Sequence, residues 1–266
     1  MLKKALLATA ATVLISMPAM AADIVEAPVE VSSWTAFYLG AGIGAAWSNF
    51  DTKGKYCVDD GEYCYVDDSY WYYDFKDLFN NDSDTAFRGI GSIGFDWEVA
   101  PSFVLGVFGD VNFGQETGIS SKQGYSYWDG EDYWDYHDKF SYGVDTLWTL
   151  GGRVGWGTEN TLFYGLVGYS WADTQAKLKL GCYDGDNSCW YDGKSDDTIN
   201  GWTFGGGVEF KGWLWDTVST SIEYRYTDLD SVSATAYDVV DDQYWKAKVD
   251  QDIQQVNLVF KYRFGM

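Results

Sequence analysis

Gln255-Val256-Asn257-Leu258-Val259-Phe260-Lys261-Tyr262-Arg263-Phe264 alternates through ten residues. Val256, Leu258, Phe260, Tyr262 and Phe264 make one apolar row, and Gln255, Asn257, Lys261 and Arg263 oppose them. Side chains repeat every two residues on a β-strand, so this stretch has one greasy face and one face carrying full charges. Seven more stretches share the texture, at roughly 34–49, 85–98, 102–114, 143–156, 161–173, 201–212 and 217–228. In the stretch 85–98, Phe87, Ile93, Phe95 and Trp97 oppose Arg88, Ser92, Asp96 and Glu98. In 217–228, Val218, Ile222, Tyr224 and Tyr226 oppose Glu223 and Arg225. The stretch 161–173 is ambiguous, because Phe163, Val167 and Tyr169 compete with Tyr164 and Leu166 for the apolar face.

Two architectures accept such strands. A soluble sandwich turns the apolar face to its core, whereas an outer-membrane barrel turns it to lipid and keeps polar groups in the lumen. Connection lengths favour the barrel. Segments 99–101, 157–160 and 213–216 are tight, while 50–84, 115–142, 174–200 and 229–251 are long, which is the periplasmic-turn and outer-loop asymmetry of such barrels. The charged faces are close to balance, with Arg88, Arg153, Lys211, Arg225, Lys261 and Arg263 against Asp96, Glu98, Asp110, Glu209 and Glu223. A closed lumen needs that balance if buried charges are to pair. Trp34, Trp47, Trp97, Trp156, Trp171 and Trp202 stand at strand ends, where an aromatic girdle sits. The expected fold is all-β: an eight-stranded antiparallel up-and-down transmembrane β-barrel with four long extracellular loops and three short periplasmic turns.

Composition agrees. The 266 residues hold 40 Asp+Glu against 18 Lys+Arg, a formal charge of −22, with 14 Trp, 21 Tyr and 15 Phe. So acidic a chain argues against nucleic acid or an anionic membrane surface as its partner, since both repel a carboxylate-rich face, and so aromatic a chain is not disordered. Lys3 and Lys4 precede the apolar run Ala5 to Ile15, and Ala19-Met20-Ala21 supplies the small residues of a cleavage site, which reads as a secretory signal peptide at 1–21. A short periplasmic segment at 22–33 and the barrel at 34–266 complete the expected organisation, in the outer membrane of a Gram-negative cell.

The two ends also carry a resemblance. Trp34-Thr35-Ala36-Phe37-Tyr38-Leu39-Gly40-Ala41-Gly42-Ile43-Gly44 resembles the first strand of small eight-stranded outer-membrane β-barrel proteins of proteobacteria, the porin-like surface antigen group related in shape to the OmpA barrel. The terminal alternation, with Phe260, Tyr262 and Phe264, resembles the signal by which the barrel-assembly machinery recognises such chains, although Gly265-Met266 follow it here. The resemblance implies partners in outer-membrane lipid, lipopolysaccharide and the assembly machinery. It also implies, as a lesser alternative, capture of haem by loop aromatics, with His137 or tyrosines as ligands.

The four long connections with their flanks hold 29 acids against 10 bases, interleaved with aromatics. Tyr70, Trp71, Trp128, Trp134, His137, Trp190 and Trp245 are the candidate binding residues, since rigid aromatics amid adaptable polar groups suit a recognition surface; a solvated acidic cap is the plainer reading. Cys57-x6-Cys64 and Cys182-x6-Cys189 repeat a spacing, and four cysteines in an exported chain read as disulfides, most simply within each loop. Asp59-Asp60-Gly61-Glu62 and Asp184-Gly185-Asp186-Asn187 cluster oxygens that suit weak divalent-cation binding, but neither completes a calcium loop, so no resident cofactor or tight metal site is expected. The sole His lies in Tyr136-His137-Asp138 and no nucleophile motif stands beside it, so no enzymatic activity is expected. The expected function is a structural surface protein serving envelope integrity and displaying acidic, aromatic, disulfide-stapled loops to host or neighbour molecules. A small cation-selective porin is the alternative.

Overall fold

The computed structural model describes residues 33–58, 63–66, 82–128, 133–183, 188–215, 217–238 and 243–264. The expected leader at 1–21 and all of the 22–33 segment except Ser33 lie outside the described residues, as do Tyr70, Trp71 and both acidic runs weighed above as cation ligands.

Every described element is a strand: β1 Ala36–Val58, β2 Tyr63–Val66, β3 Asp82–Ala100, β4 Phe103–Gly114, β5 Thr117–Trp128, β6 Tyr133–Gly157, β7 Thr161–Tyr183, β8 Ser188–Trp215, β9 Val218–Asp238 and β10 Gln243–Phe264. Eight of them form the antiparallel ring, in the order β10-β9-β8-β7-β6-β4-β3-β1, and β10 pairs with β1 to close it. Closure removes the exposed edges that an open sheet would leave unpaired in lipid. At the seam Phe37 faces Phe264 and Gly42 faces Val259. A Cβ at Gly42 would strike the Leu258 carbonyl, so the close approach there needs glycine.

Two strands lie outside the expected eight. Among the described residues β2 pairs with β1 alone, and β5 continues β4 upward along β6. Three of the segments expected as long loops, 115–142, 174–200 and 229–251, are therefore largely strand, and the described residues of 50–84 are strand as well. β6 has 25 residues and β8 has 28, and 25 residues run roughly 80 Å, far beyond a hydrocarbon core of about 30 Å. The ring thus rises into a tall extracellular extension.

Alternation sorts the side chains as expected in the membrane belt. Ile43, Phe87, Ile93, Phe95, Trp97, Val107, Leu150, Trp156, Phe163, Trp202 and Phe260 are exposed on the outer wall, while Arg88, Asp96, Asp110, Arg153, Glu209 and Glu223 are buried inside. The ambiguous strand resolves clearly: Phe163 and Val167 face outward, and Leu162, Tyr164 and Leu166 face inward. Trp34 departs from the expected girdle. It is 1% exposed, and its indole Nε1 donates to the Thr158 carbonyl at 2.8 Å. Arg263 and Lys211 lie over its ring at 5.0 and 4.0 Å. Cation–π attraction and that hydrogen bond draw it under the barrel as a floor.

Candidate functional site

The interior is layered. Its lowest layer is one connected chain of eight charges drawn from six strands: Arg263, Asp96, Arg153, Glu209, Lys261, Glu223, Arg225 and Asp110. Arg153 Nε donates to Asp96 Oδ1 at 2.7 Å, and its Nη2 also reaches Asp96. Arg263 Nη2 donates to the same carboxylate at 2.7 Å. Glu209 is the hub. It accepts from Arg153 Nη1 at 3.1 Å, Lys261 Nζ at 3.2 Å, Arg263 Nη2 at 2.5 Å and the Ser219 hydroxyl at 2.6 Å. Glu223 accepts from Lys261 at 3.1 Å, Arg225 Nη2 at 2.7 Å and the Tyr164 hydroxyl at 2.5 Å. Arg225 Nη1 ends the chain on Asp110 at 2.6 Å.

Four acids therefore meet four bases. Taking each ion from water costs several kcal/mol, and only near-complete pairing recovers it. Tyr38 and Tyr164 finish the shell: Arg153 lies 4.9 and 4.8 Å from their ring centres, and Lys261 lies 5.3 and 5.4 Å from them.

Three expected members stand apart. Arg88 is buried, but its guanidinium donates to the Asp145 and Asn112 backbone carbonyls rather than to a carboxylate. Glu98 sits at the periplasmic rim, accepting from the Trp34 and Ser102 amides at 2.9 and 3.2 Å. Lys211 is at the same rim and donates to the Ser33 carbonyl at 2.9 Å. Their alternation is right and their height is wrong: periodicity reports the face of a strand and says nothing of which charges share a level.

Above the charges runs a ladder of hydroxyls across β6 to β9. Thr149, Ser170, Thr203 and Thr227 are linked at 2.9, 2.6 and 2.8 Å. Above that the interior turns apolar, with Phe50, Tyr56, Phe140, Leu178, Leu180, Val232, Trp245 and Ile253 among a buried cluster. Asp138 is buried in this extension. Burial pushes its carboxyl up to about 6, although the Gly181 backbone and His137 pull it down.

The aromatic candidates divide accordingly. Trp128, Trp190 and His137 are exposed. Trp245 is not at the surface: it is 2% exposed and stacks between Tyr56 at 5.4 Å and Tyr191 at 5.0 Å. It faces inward because it shares the parity of Ala247, Val249 and Ile253 on β10. Trp134 lies on β6, opposite Tyr127 of β5 in the register. The pleat sends His137 outward and Asp138 inward, so adjacency in sequence does not make them a pair. Register sets Cys57 opposite Cys64 and Cys182 opposite Cys189. Cys57 and Cys189 each enter a disulfide, while the side chains of Cys64 and Cys182 lie outside the described residues. Phe260, Tyr262 and Phe264 face outward on the last strand.

Reading by alternation missed Trp34, Tyr38 and Tyr164. The ambiguity at 161–173 was the available signal, since an aromatic on the polar face of a barrel strand is there to pack against something charged.

A family model described as outer membrane protein beta-barrel domain matches residues 7–264. The 31 kDa outer-membrane immunogenic protein of Brucella melitensis is 27% identical over 272 residues, covering 98% of this chain and 100% of that protein. Among solved structures, the outer membrane protein OprG from Pseudomonas aeruginosa is 12% identical, covers 87% of this chain and 97% of its own, and has a TM-score of 0.44. Ail, the attachment invasion locus protein of Yersinia pestis, is 15% identical, covers 85% of this chain and 98% of its own, and has a TM-score of 0.30.

Proposed function

The chain belongs to the outer membrane protein beta-barrel family, and on that premise we propose that it is a sealed structural barrel of the outer membrane that carries a tall extension as a contact surface. What supports sealing is the lumen itself. The cavity bounded by Tyr38, Asp110, Arg153, Tyr164, Glu223, Arg225 and Lys261 has a volume of about 10 Å³, room for about one water. The hydroxyl ladder and the apolar cluster stand above it. With four acids against four bases, the network also leaves no surplus charge to select an ion.

Planar-bilayer conductance of the refolded barrel, with folding verified by its gel shift on boiling, is the test. Silence is expected; stable, stepwise, cation-selective currents would replace this reading with a small porin. Trp128, Trp190 and His137 would supply the contacts to a host or neighbouring surface, and capture of haem there is not expected. A Soret shift at micromolar haem would overturn that last statement. Hairpin disulfides Cys57–Cys64 and Cys182–Cys189 would stiffen the tips by on the order of 2–3 kcal/mol each. Labelling of two or more thiols without reductant would refute them.

A further inference from the structure

Trp190 is 65% exposed, yet its ring is held in place. It stands opposite Gly181 of β7, and a Cβ built on that glycine would lie 2.6 Å from one indole carbon and 2.9 and 3.1 Å from the two beside it. Distances so nearly equal mean that the ring lies face-on over Gly181 rather than edge-on. Gly181 has the outward parity of β7 and is buried all the same, because the indole covers it. One face of the indole thus rests on the wall and the other meets water.

The neighbours fall into rows. His137 stands opposite Gly124 of β5, and the register from Tyr136 opposite Cys182 to Lys139 opposite Lys179 sets His137 level with Gly181. Indole and imidazole therefore share one row, each beside a glycine. The row below is charged, with Asp192, Lys179, Lys139 and Lys122 following one another from β8 to β5. In the row above, Asp135 accepts from the Ser126 hydroxyl at 2.6 Å. Lys179 meets Asp192 at 3.6 Å, both well exposed, and such pairs are weak. Lys122 and Lys139 oppose one another directly, which is destabilising for like charges, and the described residues supply neither with a carboxylate within ion-pair distance. Three lysines against two aspartates leave one positive charge beside the rings. Further down, Lys177 and Lys194 are offset by the exposed Asp196 and Asp197.

We propose that this patch binds a β-linked hexuronic acid residue of a polysaccharide on an apposed surface, with the sugar ring stacked on Trp190 and its carboxylate on the lysine row. The inference rests on the reading of the extension as a contact surface and names what is contacted. Ten residues of β7, about 33 Å of strand, separate Gly181 from Trp171 at the top of the lipid belt, whereas a headgroup zone is about 5–8 Å deep. The patch therefore stands clear of the leaflet. An all-equatorial pyranose carries axial C–H bonds on both faces, which suit the electron-rich face of an indole. Its hydroxyls and carboxylate leave from the ring edge, where Asp192, His137 and the lysines can meet them. An apolar partner would leave Lys122 and Lys139 opposed. A densely charged polyanion would bring further charge against Asp135 and Asp192. A chain with one carboxylate per disaccharide matches the single surplus charge.

The test uses the full refolded barrel in detergent, its folding read from the gel shift on boiling. The probes are a hyaluronan tetrasaccharide, its carboxyl-reduced form and a heparin tetrasaccharide. Saturation-transfer NMR reports which sugar protons touch the protein, and titration ranks the probes. The axial protons of the uronic ring should saturate most, and the carboxyl-reduced form should bind on the order of tenfold more weakly.

Trp190→Ala should weaken binding on the order of tenfold or more, and Trp190→Tyr, which keeps a platform, should recover most of it. Lys122→Gln with Lys139→Gln should erase the preference over the reduced form while the same ring protons still saturate. Lys53→Gln with Lys248→Gln removes an opposed pair on the β1–β10 wall and should leave binding within about twofold. No saturation on the folded wild type, or equal loss in that control, would overturn the site. So would heparin binding as tight as hyaluronan's that survives Trp190→Ala, which would indicate a polyanion surface. Adhesion of barrel-coated beads to animal cells separates this site from the broader reading. Adhesion lost on enzymatic removal of hyaluronan and in Trp190→Ala is expected. Adhesion indifferent to both refutes this site alone, and no adhesion with no sugar binding refutes the contact surface as well.

Discussion

The lower and upper halves of the barrel share strands, pleat and pairing, yet their interiors are opposites. Below Trp171 on β7, Phe163 and Val167 face out while Tyr164 and Ser170 face in; above it Lys177 and Lys179 face out while Ala176, Leu178 and Leu180 face in. β10 repeats the inversion, from Phe260 and Tyr262 outside and Lys261 and Arg263 inside to Lys246 and Lys248 outside and Ala247 and Val249 inside. What inverts is the solvent. Lipid outside takes the apolar row and leaves ionic pairing to fill the lumen; water outside takes the charges, and the same ring acquires an ordinary hydrophobic core.

The comparison can be broken at either half. The largest effect belongs below. Glu209→Ala leaves Arg153, Lys261 and Arg263 without their shared carboxylate, and removing one partner of a buried ionic network costs about 3–5 kcal/mol. Urea unfolding of the refolded barrel should record it, and an effect under about 1 kcal/mol would mean that charge pairing does not hold the lower half. Leu178→Ala above should cost about 2–4 kcal/mol as a cavity. Its signature should be local: faster hydrogen exchange in the extension with the boiling gel shift retained. Uniformly faster exchange in both halves would show that they are one cooperative unit.

The smallest effect sharpens the upper half through pH. The Asp138 carboxyl is raised to about 6 by burial, against about 3.9 in an unfolded chain. The folded state therefore holds the extra proton between those values, and stability falls as pH rises from about 4 to about 6, then levels. The loss is at most about 2–3 kcal/mol. Asp138→Asn should flatten that window and stabilise the extension at neutral pH; an unchanged slope would assign it to other groups.

Sequence made the membrane belt legible because alternation there has one meaning, and the eight ring strands lie where period two was read. The extension was hidden by the same rule. Ala176-Lys177-Leu178-Lys179-Leu180 is as regular as any belt strand, but its charge content reads as a loop once the polar face is assumed to point inward. The register shifts at Val144/Leu147 on β6 and between Val232 and Leu229 on β9 add to the concealment, since on both strands the buried parity changes from even to odd from the extension to the belt. The charged network was legible as a set of faces, and its membership depended on height, which alternation does not encode. Trp34 and Trp245 were misread for a related reason: an aromatic near a strand end looks like a girdle or a tip until its partners are known.

The seam between β1 and β10 also closes the charge balance of the lumen. Lys261 and Arg263 are supplied by the last strand, while Asp96, Asp110, Glu209 and Glu223 come from strands made earlier. Without β10 the ring would hold the network's four carboxylates against Arg153 and Arg225 alone. Pairing β10 to β1 is therefore a latch in two senses: it removes the open sheet edge, and with Lys261 and Arg263 it brings the lumen's charges into balance.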